Sequence, residues 1–528
     1  MRNFHVPGRS PVRATEAMVA TSHPLASVAA LELLKEGGNA VDAAICAAAV
    51  LSVVEPQSTG VGGDCFALYL PGGHGAAPLA FDGSGRSPAA ATLDWYRERG
   101  FTTIPPDSAH AVTMPGTVDA WCRLLADHGR TPLDRVLAPA IRYAEHGYVV
   151  HDRVAVDWRA SVNLLKRDPA AALFLPSGRA PEPGDVHRQP ALAQTLREIA
   201  TGGRDAFYEG EIAADMVAHL RSYGGLHTAD DFAAVRGEYV APIRTGYRGT
   251  DIWQLPPGNQ GLTALVMLNL LAGFDIAALD PLGAERLHLE IECGRLAYWV
   301  RDRFIADPAH SPSSPATLLT AAYADGLRRH IDPTRAATHL PPVAMARADT
   351  VYLSIVDNSR NTISLINSTY HSFGCGLVAP KSGVVLQSRG AGFRLDPAHP
   401  NCLAPSKRPM HTIMPGLATR DGKALLSFGV MGGDYQPFGN IHVLSNMLDY
   451  ALDPQAAIDL PRVFHSGGMA QVERGLPSTT VADLQALGHK IEVVADPLGG
   501  GQAILIDWER GTLTGGSDPR KDGCALGF

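Results

Sequence analysis

The stretch Ala43 to Val54 is apolar apart from one serine and carries no charge. With Asn39 or Asp42 at its start, it reads as a helix that is apolar nearly all round. Such a helix has no face to offer water, so it belongs between layers of other structure. It is also too short to cross a bilayer, which takes about 20 consecutive apolar residues. The chain is therefore expected to fold in stacked layers with this helix inside. The segment before it, His23 to Leu34, reads as another helix, stopped at Lys35-Glu36-Gly37-Gly38.

Further along, Gly60-Val61-Gly62-Gly63-Asp64 leads into a short strand over 66–70, and a second strand follows at 79–82. The middle third is more helical, with apolar periodicity over 116–128, 133–145, 190–201, 210–223, 261–271 and 284–302. Residues 307–345 are polar and rich in proline and alanine, which predicts an exposed connection that tolerates cleavage. Strands are expected at 351–357, 362–368, 384–387 and 424–429, then a helix at about 439–451, then strands near 490–494 and 502–507. At 528 residues the length alone allows roughly two to four domains.

Bulk properties exclude several classes. The net charge is −8 and lysines and arginines are dispersed, so no nucleic-acid footprint is expected. The seven cysteines form no C-x-x-C pair, which argues against a disulfide framework or a zinc site. No metal and no cofactor are expected. Met1 to Arg9 has positive charge but no apolar signal core, so a soluble cytoplasmic protein without membrane partners is expected.

The segment Asp349-Thr350-Val351-Tyr352-Leu353-Ser354-Ile355-Val356-Asp357 puts a threonine at the entrance of an alternating strand. Threonine is common in strands for structural reasons alone. A threonine hydroxyl becomes a useful nucleophile when a base lies beside it, and the α-amine freed by cutting Asp349–Thr350 is such a base. If the following turn is centred on Ser359, Asp357 faces Asn361 and Thr350 faces Ser368. Directly opposed residues have Cβ atoms roughly 4.5–5.5 Å apart. Ser368 is then placed either to hydrogen-bond a nucleophile or merely to stabilise a hairpin. Gly432-Gly433 follows the apolar strand Leu425 to Val430 and offers adjacent N–H groups to a developing oxyanion. A tight strand-to-helix turn is the simpler reading of the same pair.

These pieces, in their order and spacing, resemble the γ-glutamyltranspeptidase family of N-terminal-nucleophile hydrolases. The matching fragments run from His23-Pro24-Leu25-Ala26-Ser27 and Gly37-Gly38-Asn39-Ala40-Val41-Asp42-Ala43 through Met114-Pro115-Gly116-Thr117-Val118 and Leu255-Pro256-Pro257. They continue through Phe373-Gly374-Cys375-Gly376 and Lys407-Arg408-Pro409 to Ser517-Asp518-Pro519-Arg520. The resemblance implies an α+β fold, a four-layer αββα sandwich. It also implies a precursor that cuts itself into a large subunit, 1–349, and a small subunit, 350–528, intertwined in one domain. Thr350 then corresponds to the nucleophile, Ser368 to the residue supporting it, and Gly432 and Gly433 to the oxyanion pair.

The departures bear on substrate. Typical γ-glutamyl enzymes hold the substrate's α-carboxylate with an arginine where this chain has Ser84, with Arg86 two residues on. They bind the α-amino group with an acidic residue where this chain has Gly392, and a glutamine is replaced by Arg389. Two serines become His411 and Thr412, and an asparagine becomes Tyr370. Losing the acid and gaining Arg389 disfavours a zwitterionic head group and favours a carboxylate, which guanidinium pairs bidentately. The pattern is similar to the subgroup containing oxamate amidohydrolase and cephalosporin-acylase-like proteins. The expected activity is an autoprocessed threonine amidohydrolase on a small carboxylate-bearing amide, with Arg86 or Arg389 as its anchor and His411, Thr412 and Tyr370 nearby. The alternatives are hydrolysis or transfer of γ-glutamyl groups from glutathione, and a non-catalytic binding protein on the same fold. Further assembly into a homo-oligomer is left open. A metal cluster of His288, Glu290 and Glu292 is disfavoured because neighbours two apart on a helix diverge.

Overall fold

The alternating strands on either side of the Asn358–Arg360 turn pair antiparallel, with Val351 opposite Asn367 and Val356 opposite Thr362. This is the register expected from a turn centred on Ser359. The computed structural model describes residues 8–338 and 350–528. Asp349, on one side of the expected scissile bond, lies outside the described residues, as do residues 1–7 and 339–345 of the segments discussed above.

The hairpin forms the middle of a seven-stranded sheet. Its order is Cys524–Gly527, Met18–Thr21, Val351–Val356, Thr362–Ser368, Asp64–Leu70, Leu79–Gly83, Glu238–Val240. A second seven-stranded sheet runs Val12–Ala14, Thr512–Ser517, Gly500–Asp507, Lys423–Met431, Gly416–Arg420, Thr250–Gln254, Ile243–Tyr247. The sheets stack on an apolar layer. Met18, Phe66, Leu68, Tyr352 and Ile366 from the first meet Leu417, Met431, Ile504 and Leu513 from the second. Strands alternate sides, so the opposite faces of both sheets are also apolar and are covered by helices.

Helix Ala40–Val54 lies over the first sheet and is buried at every position. Its N-terminus is closed by a capping box, with Asn39 accepting from Asp42 N and Asp42 accepting from Asn39 N. Residues such as Ile45, Val50 and Leu51 each contribute roughly 1.5–3 kcal/mol through complete burial. Helices Thr117–His128, Leu133–His146 and Pro190–Tyr208 complete that outer layer. On the far side, Gly261–Leu271, Ala284–Phe304 and Gln436–Leu448 cover the second sheet. The result is the α+β, four-layer αββα arrangement. Among the described residues no helix is long and apolar enough to cross a membrane.

Two expectations need correction. Residues 384–387 form no strand, only an isolated bridge between Val378 and Val385. Their backbone bonds go to separate loops: Leu386 N to Leu377 O, Gln387 N to Gly62 O and Ser388 N to Thr369 O. Without one continuous neighbour there is no ladder. The connection after residue 307 is also more ordered than its polarity suggested. Helices Pro315–Leu318 and Ala321–Arg328 form there, and Leu318 and Leu327 are buried in the outer core. Both start at capped hydroxyls, Ser314 and Thr320, a short-range signal that the overall polarity masked.

Candidate active site

Thr350 sits at the edge of the central hairpin, almost fully buried, with its Oγ1 3.1 Å from Ser368 Oγ. Ser368 Oγ also receives the Tyr370 N–H at 2.9 Å and Arg389 Nη2 at 3.3 Å. The Arg389 guanidinium donates from Nη1 to Thr412 Oγ1 at 2.8 Å and lies 4.2 Å over the Tyr370 ring. Tyr370 holds this pose with a left-handed φ of 78°, unusual for a bulky side chain. The structure thus gathers Thr350, Ser368, Tyr370, Arg389 and Thr412 into one cluster.

Arg389 is the electrostatic anomaly of this cluster. It is 0% exposed, and its Nε has no hydrogen-bond partner. Among the described residues no carboxylate lies within ion-pair distance of it; its contacts are two hydroxyls and a ring. Burial lowers its pKa to about 10, only partly opposed by Tyr370, Asp64 and Asp434. Buried charges normally carry a counter-ion, and none of the described carboxylates supplies one here. Beside it, burial and the arginine's charge lower the His371 pKa to about 4, so that imidazole is neutral at pH 7.

The glycine pair follows a strand of the other sheet, and Gln260 links Gly433 to Thr412 of the cluster. Ser427 Oγ donates to Ser354 Oγ across the interface at 2.9 Å, and Gly429 lies directly against the Tyr352 ring. These two contacts show the strand Lys423–Met431 running along the hairpin with its Met431 end toward the Thr350 end of Val351–Val356. Gly432 has φ 126° and Gly433 φ 59°, both in the region that favours glycine, and a Cβ at 432 meets Gly499 Cα at 3.0 Å. Gln260, at the start of helix Gly261–Leu271, donates from Nε2 to both Gly433 O and Thr412 O, at 2.8 Å each. Asp434 is held by Arg301 Nη1 at 2.6 Å. A cavity of about 310 Å³ opens alongside, lined by Tyr370, Gly392, Arg394, Met410 and Asp434 among others.

His411 and Arg86 stand elsewhere. Both nitrogens of the His411 ring face acceptors, Nδ1 to Pro409 O and Nε2 to Asp64 Oδ2, each at 2.8 Å. The imidazole is therefore occupied as a structural bridge one residue from Thr412. Arg86 is half-exposed on a second cavity of about 380 Å³, bonding Ser406 O at 3.1 Å with Asp307 Oδ2 3.7 Å away. No contact joins it to the Thr350 cluster among the described residues.

Several members were not singled out from the sequence. Asp64 is fully buried and accepts from Gly85 N, Gly116 N, Gln387 Nε2 and His411 Nε2. Its position after Gly62-Gly63 was the available signal. Gln260, Arg301 and Asp434 gave none beyond Asp434 following the glycine pair. His288 and Glu292, one turn apart, do share a face and meet His489, with ligand atoms within 4.8 Å of one another. Glu290 turns away to His442. The three donors are engaged: His288 Nδ1 with His489 Nε2 at 2.7 Å, and Glu292 with Arg295 and Ala337 N.

A family model described as Gamma-glutamyltranspeptidase matches residues 26–528. The chain belongs to the gamma-glutamyltranspeptidase family. Relatives in this family include the glutathione hydrolase-like YwrD proenzyme of Bacillus subtilis, 38% identical over 97% of this chain and 99% of the relative. The oxamate amidohydrolase proenzyme of Klebsiella pneumoniae is 35% identical over the same shares. A crystal structure of cephalosporin acylase from Bacillus halodurans superposes with a TM-score of 0.93 at 40% identity, covering 100% of this chain and 99% of that one. This member of the gamma-glutamyltranspeptidase family is accordingly an enzyme, an amide-bond hydrolase or acylase with the N-terminal-nucleophile fold.

Proposed function

We propose that this chain is an autoprocessing threonine amidohydrolase acting on a small amide that carries a carboxylate, of the oxamate type. The observation that carries the reading is Arg389: a buried guanidinium with no carboxylate partner among the described residues, one hydroxyl away from Thr350. In processing, Thr350 Oγ1 attacks the Asp349 carbonyl and the C–N bond breaks, which frees the Thr350 α-amine and leaves an ester on Oγ1; water then cleaves that ester, freeing the Thr350 hydroxyl and the Asp349 carboxylate. This leaves a large subunit 1–349 and a small subunit 350–528.

In turnover, that amine takes the proton from Oγ1 as the hydroxyl adds to the substrate amide carbon. The N–H groups of Gly432 and Gly433 receive the oxyanion, and Ser368 keeps the nucleophile aligned. Collapse breaks the C–N bond, and the α-ammonium returns its proton to the departing ammonia or amine. Water, deprotonated by the same amine, then cleaves the acyl-threonine ester. Arg389 pairs with the substrate carboxylate throughout, braced by Thr412 and stacked on Tyr370.

Action on γ-glutamyl amides, which relatives' names suggest, needs an anion for the substrate's α-ammonium. The acids bordering the cavity, Asp302 and Asp434, are both paired with Arg301. That favours the amine-free acid. N-terminal sequencing of purified protein is expected to show Thr350 as a new first residue, with Thr350→Ala remaining one band on a gel. Ammonia is expected from oxamate, at a rate exceeding p-nitroaniline release from the γ-glutamyl anilide. An uncut, inactive wild type, or the reverse substrate order, overturns the reading.

A further inference from the structure

Gln260 is fully buried, and its amide is used on every side. Both of its strong contacts at Nε2 are carbonyls, Thr412 O and Gly433 O, and its Oε1 receives Arg301 Nη1 at 3.2 Å. Carbonyls only accept and guanidinium only donates, so the partners fix which end of the amide is nitrogen. The backbone docks the same way: Gln260 N donates to His411 O at 3.1 Å, and His411 N to Gly258 O at 2.7 Å. Behind it stands helix Gly261–Leu271, buried at nearly every position.

The two carbonyls belong to two different halves of the site. Gly433 is one of the glycines facing the reacting carbonyl. Thr412 is the residue that braces Arg389, which faces the carboxylate. The segments carrying them, 411–412 and 432–433, are the two chain ends of the strand pair Gly416–Arg420 and Lys423–Met431, side by side at its open end because Gly416 pairs with Phe428. One amide ties those ends together. Arg301 adds to the tie, because it holds Gln260 Oε1 and Asp434 Oδ1 at once.

We infer that Gln260 is a positioning residue that sets the distance between the oxyanion glycines and the Arg389 carboxylate site. It thereby fixes how many carbons separate the scissile amide from the carboxylate in the substrates accepted. This inference rests on the amidohydrolase reading above. A merely structural glutamine, when replaced, lowers all activities together. A spacer, when replaced, blurs the discrimination between chain lengths.

The test measures kcat and KM for four carboxylic acid monoamides of increasing length: oxamate, malonamate, succinamate and glutaramate. Wild type is expected to favour one length sharply. Gln260→Met, which keeps the volume and loses both donors, is expected to lose about 100-fold in kcat/KM on that substrate, the effect of a displacement of about 1 Å. It should lose much less on the neighbouring lengths, so the profile flattens. Should Gln260→Met fail to process, Gln260→Glu serves instead, since its carboxylate repels both carbonyls while keeping the Arg301 contact. Equal losses on all four amides in a correctly processed variant overturn the inference and leave the parent reading standing. A wild type that hydrolyses none of the four overturns both.

Discussion

Replacing Arg389 by methionine separates stability from activity in a way the structure makes quantitative. In the fold burial lowers the pKa of this guanidinium to about 10, well below the ordinary arginine range, which disfavours its charge by about 3 kcal/mol. Against that stand its hydrogen bonds to Thr412 and Ser368, about 1 kcal/mol each, and its stacking on Tyr370, about 1 kcal/mol. The terms nearly cancel, so Arg389→Met is expected to unfold in urea within about 1 kcal/mol of wild type. Activity behaves differently. A substrate carboxylate that loses its buried partner loses about 2–5 kcal/mol of binding to the transition state. That is about 30- to 5,000-fold in kcat/KM. Ammonia release from oxamate should fall by that factor, while the slow turnover of a neutral amide such as propionamide changes little. A variant that loses both activities equally, or that loses several kcal/mol of stability, refutes the assignment of Arg389 as the anion site.

Activity should rise with pH through about 8, because the Thr350 α-amine must be neutral to act as base and such amines titrate at about 7.7–8.0. It should fall again above about 10, where Arg389 loses its proton and KM for the anionic amide climbs. Arg389→Met should lack that upper limb, and a profile identical to wild type contradicts the assignment. Asp64→Asn should lower the unfolding free energy by about 3 kcal/mol, because an amide NH2 then opposes donors from Gly85, Gly116, Gln387 or His411. Unchanged urea unfolding would show that Asp64 is not the hub described. Thr350→Ala should leave the fold's melting temperature near that of the processed enzyme while abolishing processing, checked by gel and intact mass.

What could be read from the sequence was what short-range physics determines. The Thr350–Ser368 pairing followed from one turn and the two-residue period of strands, and it appears in the structure with the expected register. Helix Ala40–Val54 announced its burial because no side of it is polar. Strands Ile243–Tyr247, Thr250–Gln254 and Gly416–Arg420 escaped notice because short strands with mixed polarity resemble loops until their partners are known. The site's polar links were the least legible. Asp64 to His411 and Gln260 to Gly433 join residues 347 and 173 positions apart, and nothing in the local pattern marks a buried polar group's partner. The choice between Arg86 and Arg389 was of the same kind, a matter of which loop turns inward.

The sheet orders carry one more consequence. In the first sheet, Val351–Val356 lies between Met18–Thr21 and Thr362–Ser368, which in turn pairs with Asp64–Leu70. In the second, Gly416–Arg420 pairs with Thr250–Gln254, and Val12–Ala14 with Thr512–Ser517. Segments from before and after residue 350 are thus woven into both sheets like threads of one cloth. The scission proposed ahead of Thr350 would change the chain's connectivity without providing a seam along which the pieces can part. The two polypeptides should co-migrate under native conditions at any dilution and melt in a single transition. Once denatured apart, they should regain activity only when refolded together.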